Sequence, residues 1–484
     1  MILVIVVLYI LSLTLILAFS LGQLNLALHY RKRVSNVEPT IIKWPYVTVQ
    51  LPIYNEKYVV ERLIDSIAAL DYPKDKLEVQ VLDDSNDSTS DLVKSKVQEY
   101  KAKGLNIAHI QRPDRKGFKA GALAYGNGIA SGDFISVFDA DFTPGAQFLR
   151  KTIPQFQDEK IGMVQTRWGH LNKGYSILTE MQAFGLDAHF TVEQSGRNAA
   201  GSFISFNGTA GVWRKSCIDD AGGWSADTLT EDLDLSYRAQ LRGWKFKYLE
   251  DVISPAELPV ILPAIKSQQY RWNKGAAETA RKNLSHVLRS SLSFRQKIHA
   301  SFHLLNSSVF ILLLIAGILS IPMLIIKESN PQLQLLFDLG SVFLLGFIAI
   351  AYFYWLASKK IQPTKTLKYY LLKFPMFLSF SMGLSLHNTI AVIEGLSGIK
   401  TPFIRTPKFN VKSPGDSWKE NRYINFKMSP SVVFELILAL YFAFGVSVGI
   451  YLNDYGLILF HFMLMTGFGA VSLLSFKPIT YGRR

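Results

Sequence analysis

Acidic residues cluster where β-rich runs end in the first half of the chain. Asp83 and Asp84 close one such run, and Asp139 and Asp141 follow a second, strongly apolar run. Two carboxylates one residue apart on a loop can coordinate a hard divalent cation that also contacts a diphosphate. Such pairs also occur in ordinary solvated loops, but ligands of open α/β sheets bind at the carboxyl ends of the strands. The position therefore predicts a site for a cation and an anion.

Further charged residues stand at the predicted starts of helices. Glu231 and Asp232 follow Thr230 and open a helical pattern, so they are either helix-capping residues or carboxylates available for acid–base chemistry. Lys119 near the start of another helix opposes the helix dipole, which indicates an anionic partner. Arg271, which follows Gln268, belongs either to the site or to a basic helix lying on a membrane.

The elements that must position these side chains alternate between strands and helices. This pattern predicts a mostly parallel sheet covered by helices on both faces, within a domain spanning 43–296. The predicted elements are strand 46–52, helix 59–70, strand 77–84, helix 92–103, strand 106–111, helix 118–130 and strand 134–139.

Two long segments carry no Asp, Glu, Lys or Arg, namely 1–28 and 298–326. Each is long enough for a membrane-spanning helix, which needs about 20 apolar residues. The first, 1–30, is predicted to be an anchor rather than a cleaved signal peptide, because its apolar stretch is longer than a typical signal-peptide core and no basic residue precedes it. By the positive-inside rule these cations stay in the cytoplasm with the α/β domain. The net charge of +14 is then typical of a cytoplasmic face and lipid contact, so no nucleic-acid partner is expected.

The rest of the chain predicts a helical membrane bundle, with two spans in 298–358 and two in 431–476. Residues 359–428 between them hold twelve Lys or Arg against three acidic residues, which favours a cytoplasmic location. The apolar stretch 369–395 also contains His387, Asn388 and Glu394, so we interpret it as an interfacial or re-entrant helix. Five crossings with the carboxyl terminus inside are predicted, and six are the alternative.

In chain order, the charged motifs are Asp83-Asp84, Asp139-x-Asp141, Thr230-Glu231-Asp232 and Gln268-x-x-Arg271-Trp272. This series resembles the signature of processive family 2 inverting glycosyltransferases, the cellulose, chitin and hyaluronan synthase group. The stretch 206–214 and Gly222-Gly223-Trp224 are similar to cellulose synthase-like mannan and xyloglucan-backbone synthases. The resemblance runs from Val47 to Lys408. It implies a GT-A catalytic domain, with a Rossmann-like mixed sheet, that ends in an interfacial helix.

A further resemblance lies in the basic region 359–428. Phe403-Ile404-Arg405-Thr406-Pro407-Lys408 is similar to the F-x-V-T-x-K gating loop of cellulose synthases, with Arg405 in the place of valine. We refer to this segment as the gating-like loop.

The family resemblance implies a role for each motif. The donor would be UDP-glucose or GDP-mannose, and Asp232, next to Glu231, would be the general base of a direct, inverting displacement. The donor would contact Tyr54, Asp83, Asp84, Lys119, Asp139, Gln268, Arg271 and Trp272. Asp139 and Asp141 would hold Mg²⁺ or Mn²⁺. The acceptor would contact Asn207, Gly208, Thr209 and Trp272.

Two acceptors remain open at this point. One is a growing β-linked polysaccharide, which the protein would extend and export. The other is a membrane lipid of the ceramide or polyprenyl-phosphate type, since ceramide glucosyltransferases share much of the motif set. The gating-like loop and the second pair of spans favour the polysaccharide.

Overall fold

The computed structural model describes residues 2–33, 43–333, 340–419, 421–424 and 429–481. Along the chain, a long first helix is followed by an α/β domain, in which the described residues form seven strands, and then by further helices. The first helix packs with these later helices, for example through Val6 against Met323 and Ile326. The strands are β1 (Val47–Ile53), β2 (Leu77–Asp83), β3 (Ile107–Ile110), β4 (Phe134–Val137), β5 (Ile161–His170), β6 (Gly211–Arg214) and β7 (Lys245–Ala256). Their order in the sheet is β3-β2-β1-β4-β6-β5-β7.

The first four strands are parallel, with β1 between β2 and β4 and with β2 next to β3. Every residue of β4 and nearly every residue of β1 and β2 is buried. Strands buried on both faces are typical of parallel sheets covered by helices, as the sequence predicts. Strand β6 runs antiparallel to both β4 and β5, which makes the sheet mixed.

Helices cover the sheet and form the bundle. They are α1 (Ile2–Arg31), α2 (Val60–Ala68), α3 (Thr89–Ala102), α4 (Phe118–Ile129), α5 (Phe148–Thr152), α6 (Ile177–Ala188), α7 (Gln194–Ala199), α8 (Lys215–Asp220), α9 (Glu231–Leu241), α10 (Leu262–Arg289), α11 (Phe294–Leu304), α12 (Val309–Ser329), α13 (Leu344–Ile361), α14 (Thr366–Gly383), α15 (Ser385–Ser397), α16 (Ser431–Tyr451) and α17 (Ile458–Tyr481). A π-helical turn, His189–Glu193, joins α6 to α7.

Helix α10 connects the α/β domain to the bundle. Near its start, Lys266 Nζ lies 2.8 Å from both carboxylate oxygens of Glu435 on α16. Near its end, Lys282 and Asn283 donate hydrogen bonds of 3.0 and 2.9 Å to the carboxylate of Asp234 on α9. One helix is therefore fastened by side chains to both halves of the molecule.

Helix α15 packs directly on the middle of α10. A Cβ atom at Gly395 would lie 2.6 Å from the carbonyl oxygen of Lys274, so only glycine permits this approach. The fully buried Lys274 ammonium also lies 3.1 Å from the Glu394 carboxylate. The gating-like loop begins just after α15, so its start is held against α10.

Within the part of the chain that the structure describes, five helices are long and apolar enough to cross a membrane: Ile2–Arg31, Asn306–Ser329, Gly340–Ile361, Ser431–Tyr451 and Ile458–Ser475. They make the chain an integral membrane protein. Helices α14 and α15 form a pair bent by 50°, which is either a broken sixth span or a re-entrant element, the two alternatives that the sequence leaves open.

The first predicted span of the bundle is interrupted. The charge-free stretch 298–326 is not one helix, because α11 ends at Leu304 and a 3₁₀ turn at Asn306–Ser308 precedes α12. Glu420 and residues 425–428, part of the predicted basic region, lie outside the described residues.

Candidate active site

A cleft of about 1300 Å³, open to solvent, lies at the carboxyl ends of β1 and β4, between α9 and α10. Most of the residues predicted to act are brought together on its walls. They are Tyr54, Asp84, Lys119, Asp139, Asp141, Asn207, Gly208, Glu231, Asp232, Gln268, Arg271, Trp272, Phe403, Thr406 and Lys408. Two predicted residues, Asp83 and Thr209, are not on the walls.

Glu231 and Asp232 begin α9 and line the cleft. Burial, together with the neighbouring Glu231 carboxylate, raises the pKa of Asp232 to about 7. Burial also raises the pKa of Glu231, against the opposing effect of Lys119. A carboxylate with a pKa near neutrality is suited to accept a proton at physiological pH.

Gly208 sits directly against the predicted base. Its φ of +79° is one that side chains disfavour, and a Cβ atom there would lie 2.9 Å from Asp232 Oδ2. Its carbonyl oxygen accepts a 2.8 Å hydrogen bond from Lys119. Glycine at this position therefore leaves room beside the carboxylate.

Lys119 joins several acidic groups of the cleft. Its Nζ lies 2.6 Å from Asp139 Oδ1 and 3.9 Å from Glu231 Oε1. The Thr209 hydroxyl accepts a 2.9 Å hydrogen bond from the backbone N–H of Asp139. Thr209 is fully buried. Its position therefore suits a residue that supports the loop carrying Asp139, rather than one that contacts the acceptor.

Asp141 has one oxygen engaged and one without a partner. Lys408 of the gating-like loop donates to Oδ2 at 2.7 Å, whereas Oδ1 is buried with no hydrogen bond. An orphaned carboxylate oxygen fits a cation ligand. Among the described residues no group of three His, Cys, Asp or Glu side chains could hold a metal ion. A cation here would therefore need further oxygen atoms, such as those of a diphosphate.

The wall after β1 and β2 offers an aromatic ring and cations. The Arg115 guanidinium lies 3.3 Å from the centre of the Tyr54 ring, and Arg112 Nε donates to Asp84 at 3.0 Å. Asp83 lies behind this wall, where its buried carboxylate is 2.8 Å from His109 Nε2. Of the two adjacent aspartates, only Asp84 reaches the cleft.

The gating-like loop lies across the cleft and contacts α10. The Arg271 guanidinium donates to the Thr406 hydroxyl at 3.0 Å and lies 4.9 Å from the centre of the Phe403 ring. Next to Arg271, the Trp272 ring is 6.5 Å from that of Trp168 on β5. Arg271 and Trp272 of α10 thus form one wall of the cleft together with the gating-like loop.

Sequence reasoning missed Glu56, Trp168 and Glu257, which also line the cleft. Glu257 accepts backbone hydrogen bonds from Phe409 and Asn410 at 2.7 and 3.0 Å. Trp168 and Glu257 come at or just after the ends of β5 and β7, so strand-end position is the signal that could have found them.

Comparison with known proteins gives a consistent result. The model of the family described as "Glycosyltransferase like family 2" matches residues 45–276. The chain is 44% identical over 283 residues to the probable glucomannan 4-beta-mannosyltransferase 4 of Oryza sativa subsp. japonica, covering 57% of this chain and 51% of the relative. It is 33% identical over 454 residues to glucomannan 4-beta-mannosyltransferase 9 of Arabidopsis thaliana, covering 89% of this chain and 81% of the relative. The chain thus spans about half the length of several of the relatives that it matches.

A solved structure shares the fold. It is a mannosyltransferase of Pyrobaculum calidifontis in complex with GDP-Man and Mn²⁺, with a TM-score of 0.58 and 17% sequence identity. The match covers 82% of this chain and all of that chain. The predicted GT-A fold is confirmed.

Proposed function

The chain belongs to the cellulose synthase-like group of the family 2 glycosyltransferases, and on that premise we propose that it transfers a hexose from a nucleoside-diphosphate sugar to a growing β-linked polysaccharide. The observation that supports this most is the convergence of Asp139, Asp141 and Asp232 on one cleft with Lys119 and Arg271. In this arrangement the cationic groups can hold a diphosphate, while a carboxylate next to them can activate a hydroxyl group.

The donor diphosphate would lie between the Asp139 loop and α10. Lys119 and Arg271 place positive charge where the leaving diphosphate gains negative charge. Asp139 and Asp141 would hold Mg²⁺ or Mn²⁺ together with diphosphate oxygens, and the cation would neutralise the leaving group. Tyr54, Arg115 and Asp84 form the wall of the cleft that would contact the nucleobase of the donor.

Asp232 would take the proton of the acceptor hydroxyl while that oxygen attacks the anomeric carbon. The bond from the anomeric carbon to the diphosphate oxygen breaks as the new glycosidic bond forms. Attack from the opposite face converts an α-linked donor into a β-linked product without a covalent enzyme intermediate. Trp272, Asn207 and Gly208 would contact the acceptor sugar.

We propose GDP-mannose as the preferred donor, ahead of UDP-glucose. The relatives that are 33 to 44% identical to this chain carry names of glucomannan 4-beta-mannosyltransferases. The same names favour a polysaccharide over a lipid as acceptor.

We place the catalytic domain in the cytoplasm, where nucleotide sugars are available. This orientation is supported by Arg31-Lys32-Arg33 at the end of α1 and by the basic region 359–428. The product would leave through the helical bundle, because the hydroxyl groups of a glycan are too costly to desolvate in lipid.

The full-length protein in lipid nanodiscs should be incubated with labelled GDP-mannose, UDP-glucose and other sugar nucleotides. We expect GDP-mannose to give an insoluble product that an endo-β-mannanase digests, and EDTA to abolish its formation. A product soluble in chloroform would instead identify a lipid acceptor. Full activity in EDTA would contradict the role of Asp139 and Asp141 as metal ligands.

A further inference from the structure

Three side chains of the gating-like loop reach three different elements around the cleft. Thr406 contacts Arg271 of α10, and Lys408 contacts Asp141 after β4. Arg405, which precedes Thr406, forms a 2.7 Å ion pair with Glu56. The first two contacts fall on residues of the proposed donor site, whereas Glu56 has no role in the proposed chemistry.

Glu56 is held in place just beyond the carboxyl end of β1. It follows β1 by three residues, and its carbonyl oxygen accepts hydrogen bonds of 3.0 Å from both Val59 and Val60 at the start of α2. The residue is only 7% exposed. Burial raises the pKa of Glu56 to about 7, although Arg405 and Lys408 both oppose the increase.

Arg405 has a second partner besides Glu56. Its guanidinium lies 4.5 Å from the centre of the Tyr423 ring, and its side chain is 16% exposed. Tyr423 in turn donates a hydrogen bond to Asp87, in the segment that leads into α3. The arginine that stands in the place of valine thus contacts both the α/β domain and the chain after the loop.

The chain just after the gating-like loop is held by a contact to its backbone rather than to a side chain. Glu257 accepts hydrogen bonds from the backbone N–H groups of Phe409 and Asn410. A backbone contact of this kind fixes where the loop lies but is available to any residue, so it does not set the register. An ion pair between one carboxylate and one guanidinium does set the register of the loop. Shifting the loop by one residue would leave both charges buried without a partner.

We propose that Glu56 is a positioning residue of the transfer reaction, which through its ion pair with Arg405 sets the register of the gating-like loop, so that Thr406 and Lys408 reach the diphosphate side of the cleft. This rests on the proposed function. Glu56 acts through Arg405 and touches neither donor nor acceptor in the reaction described above.

The test compares Glu56→Gln, Arg405→Val and the double variant in the full-length protein. Arg405→Val installs the residue that cellulose synthases carry there. Lys96→Gln is the control, since it removes a 2.8 Å ion pair with Asp65 between α3 and α2, away from the cleft. Arg405→Lys keeps the charge and tests for rescue.

The first measurement is hydrogen exchange of the peptide that contains Phe409 and Asn410. Each single variant should exchange at least about tenfold faster there, as expected when a buried ion pair is broken. Lys96→Gln should match the wild type, and Arg405→Lys should restore most of the protection. The double variant should exchange no faster than the worse single variant, because both single changes break the same contact.

The second measurement is the kinetics of transfer with GDP-mannose. The single variants should raise KM for the donor about tenfold and change kcat much less, because the loop contacts the diphosphate side and not the Asp232 base. Unchanged exchange and unchanged KM in both single variants would overturn the proposal, as would effects that multiply in the double variant. Exchange needs no turnover, so an inactive wild type would refute the proposed function while the loop data still decide the role of Glu56.

Discussion

At the scale of single residues, the environment of Asp232 yields the first prediction. Asp232→Asn should lower kcat by about 10²- to 10⁴-fold, the usual cost of losing a general base, because the amide cannot accept the proton. GDP should still bind, since Lys119 and Arg271 remain in place. Isothermal titration with GDP and initial rates of transfer would measure both effects. Near-normal turnover would remove Asp232 from the role of base.

The pH dependence of the same reaction follows from the raised pKa of Asp232, about 7. Asp232 must be ionised to act as the base. The value of kcat/KM should therefore fall as the pH drops below about 7, and at low pH this decrease should approach tenfold per pH unit. Glu231→Gln removes the adjacent negative charge that helps to raise the pKa, and should move this acidic limb to lower pH. A limb that stays in place in Glu231→Gln would assign the titration to another group.

Gly208 supplies a further prediction at this scale. Gly208→Ala should abolish most transfer while the protein still folds, since the new Cβ atom would lie 2.9 Å from Asp232 Oδ2. Gly201→Ala is a matched control, because Gly201 also has a positive φ, +62°, but no heavy atom lies within 4 Å of the position that its Cβ atom would take. Rates and melting temperatures of the two variants separate crowding of the base from backbone strain. Equal losses of activity would attribute the effect to strain alone.

At the scale of helices and strands, the contact of α15 with α10 can be tested. Gly395→Ala should lower the free energy of unfolding by about 1–3 kcal/mol, the usual cost of overpacking, because its Cβ would lie 2.6 Å from the Lys274 carbonyl oxygen. Gly128→Ala on α4, where nothing lies within 4 Å, is the control and should be neutral or slightly stabilising. Denaturation in nanodiscs measures both. Unchanged stability of Gly395→Ala would mean that the two helices can separate freely.

The same scale shows what sequence could predict. The parallel strands follow from local apolar runs, so Asp139 and Asp141 could be placed at a strand end from sequence. Asp232 lies at the start of α9 instead, and only the family resemblance of the motif series assigns it to the same site. The antiparallel β6 and the break between α11 and α12 depend on tertiary packing that no local pattern encodes. Asp83 illustrates the limit within one motif, since the fold and the contact with His109 decide which of two adjacent carboxylates faces the cleft. Glu56 and Arg405 lie far apart in the chain, so only the three-dimensional fold reveals their pairing.

At the scale of the whole molecule, the orientation in the membrane can be tested. A cysteine introduced at the exposed Ser413, in a Cys217→Ser background, should react with an impermeant thiol reagent only after the membrane is opened. The reason is the excess of cations in 359–428, which opposes transfer across the membrane. Tyr455→Cys, on the exposed turn between α16 and α17, is the matched control and should react in intact cells. Labelling of Ser413→Cys in intact cells would place the loop outside and make α14 and α15 a sixth span.

Helix α10 is bonded to α16 through Glu435 and to α9 through Asp234. Neither half of the molecule can lose its structure without breaking contacts that the other half needs. Heating should therefore melt the α/β domain and the bundle in one cooperative transition. The choice of detergent or lipid around the bundle then sets the thermal tolerance of the catalytic cleft.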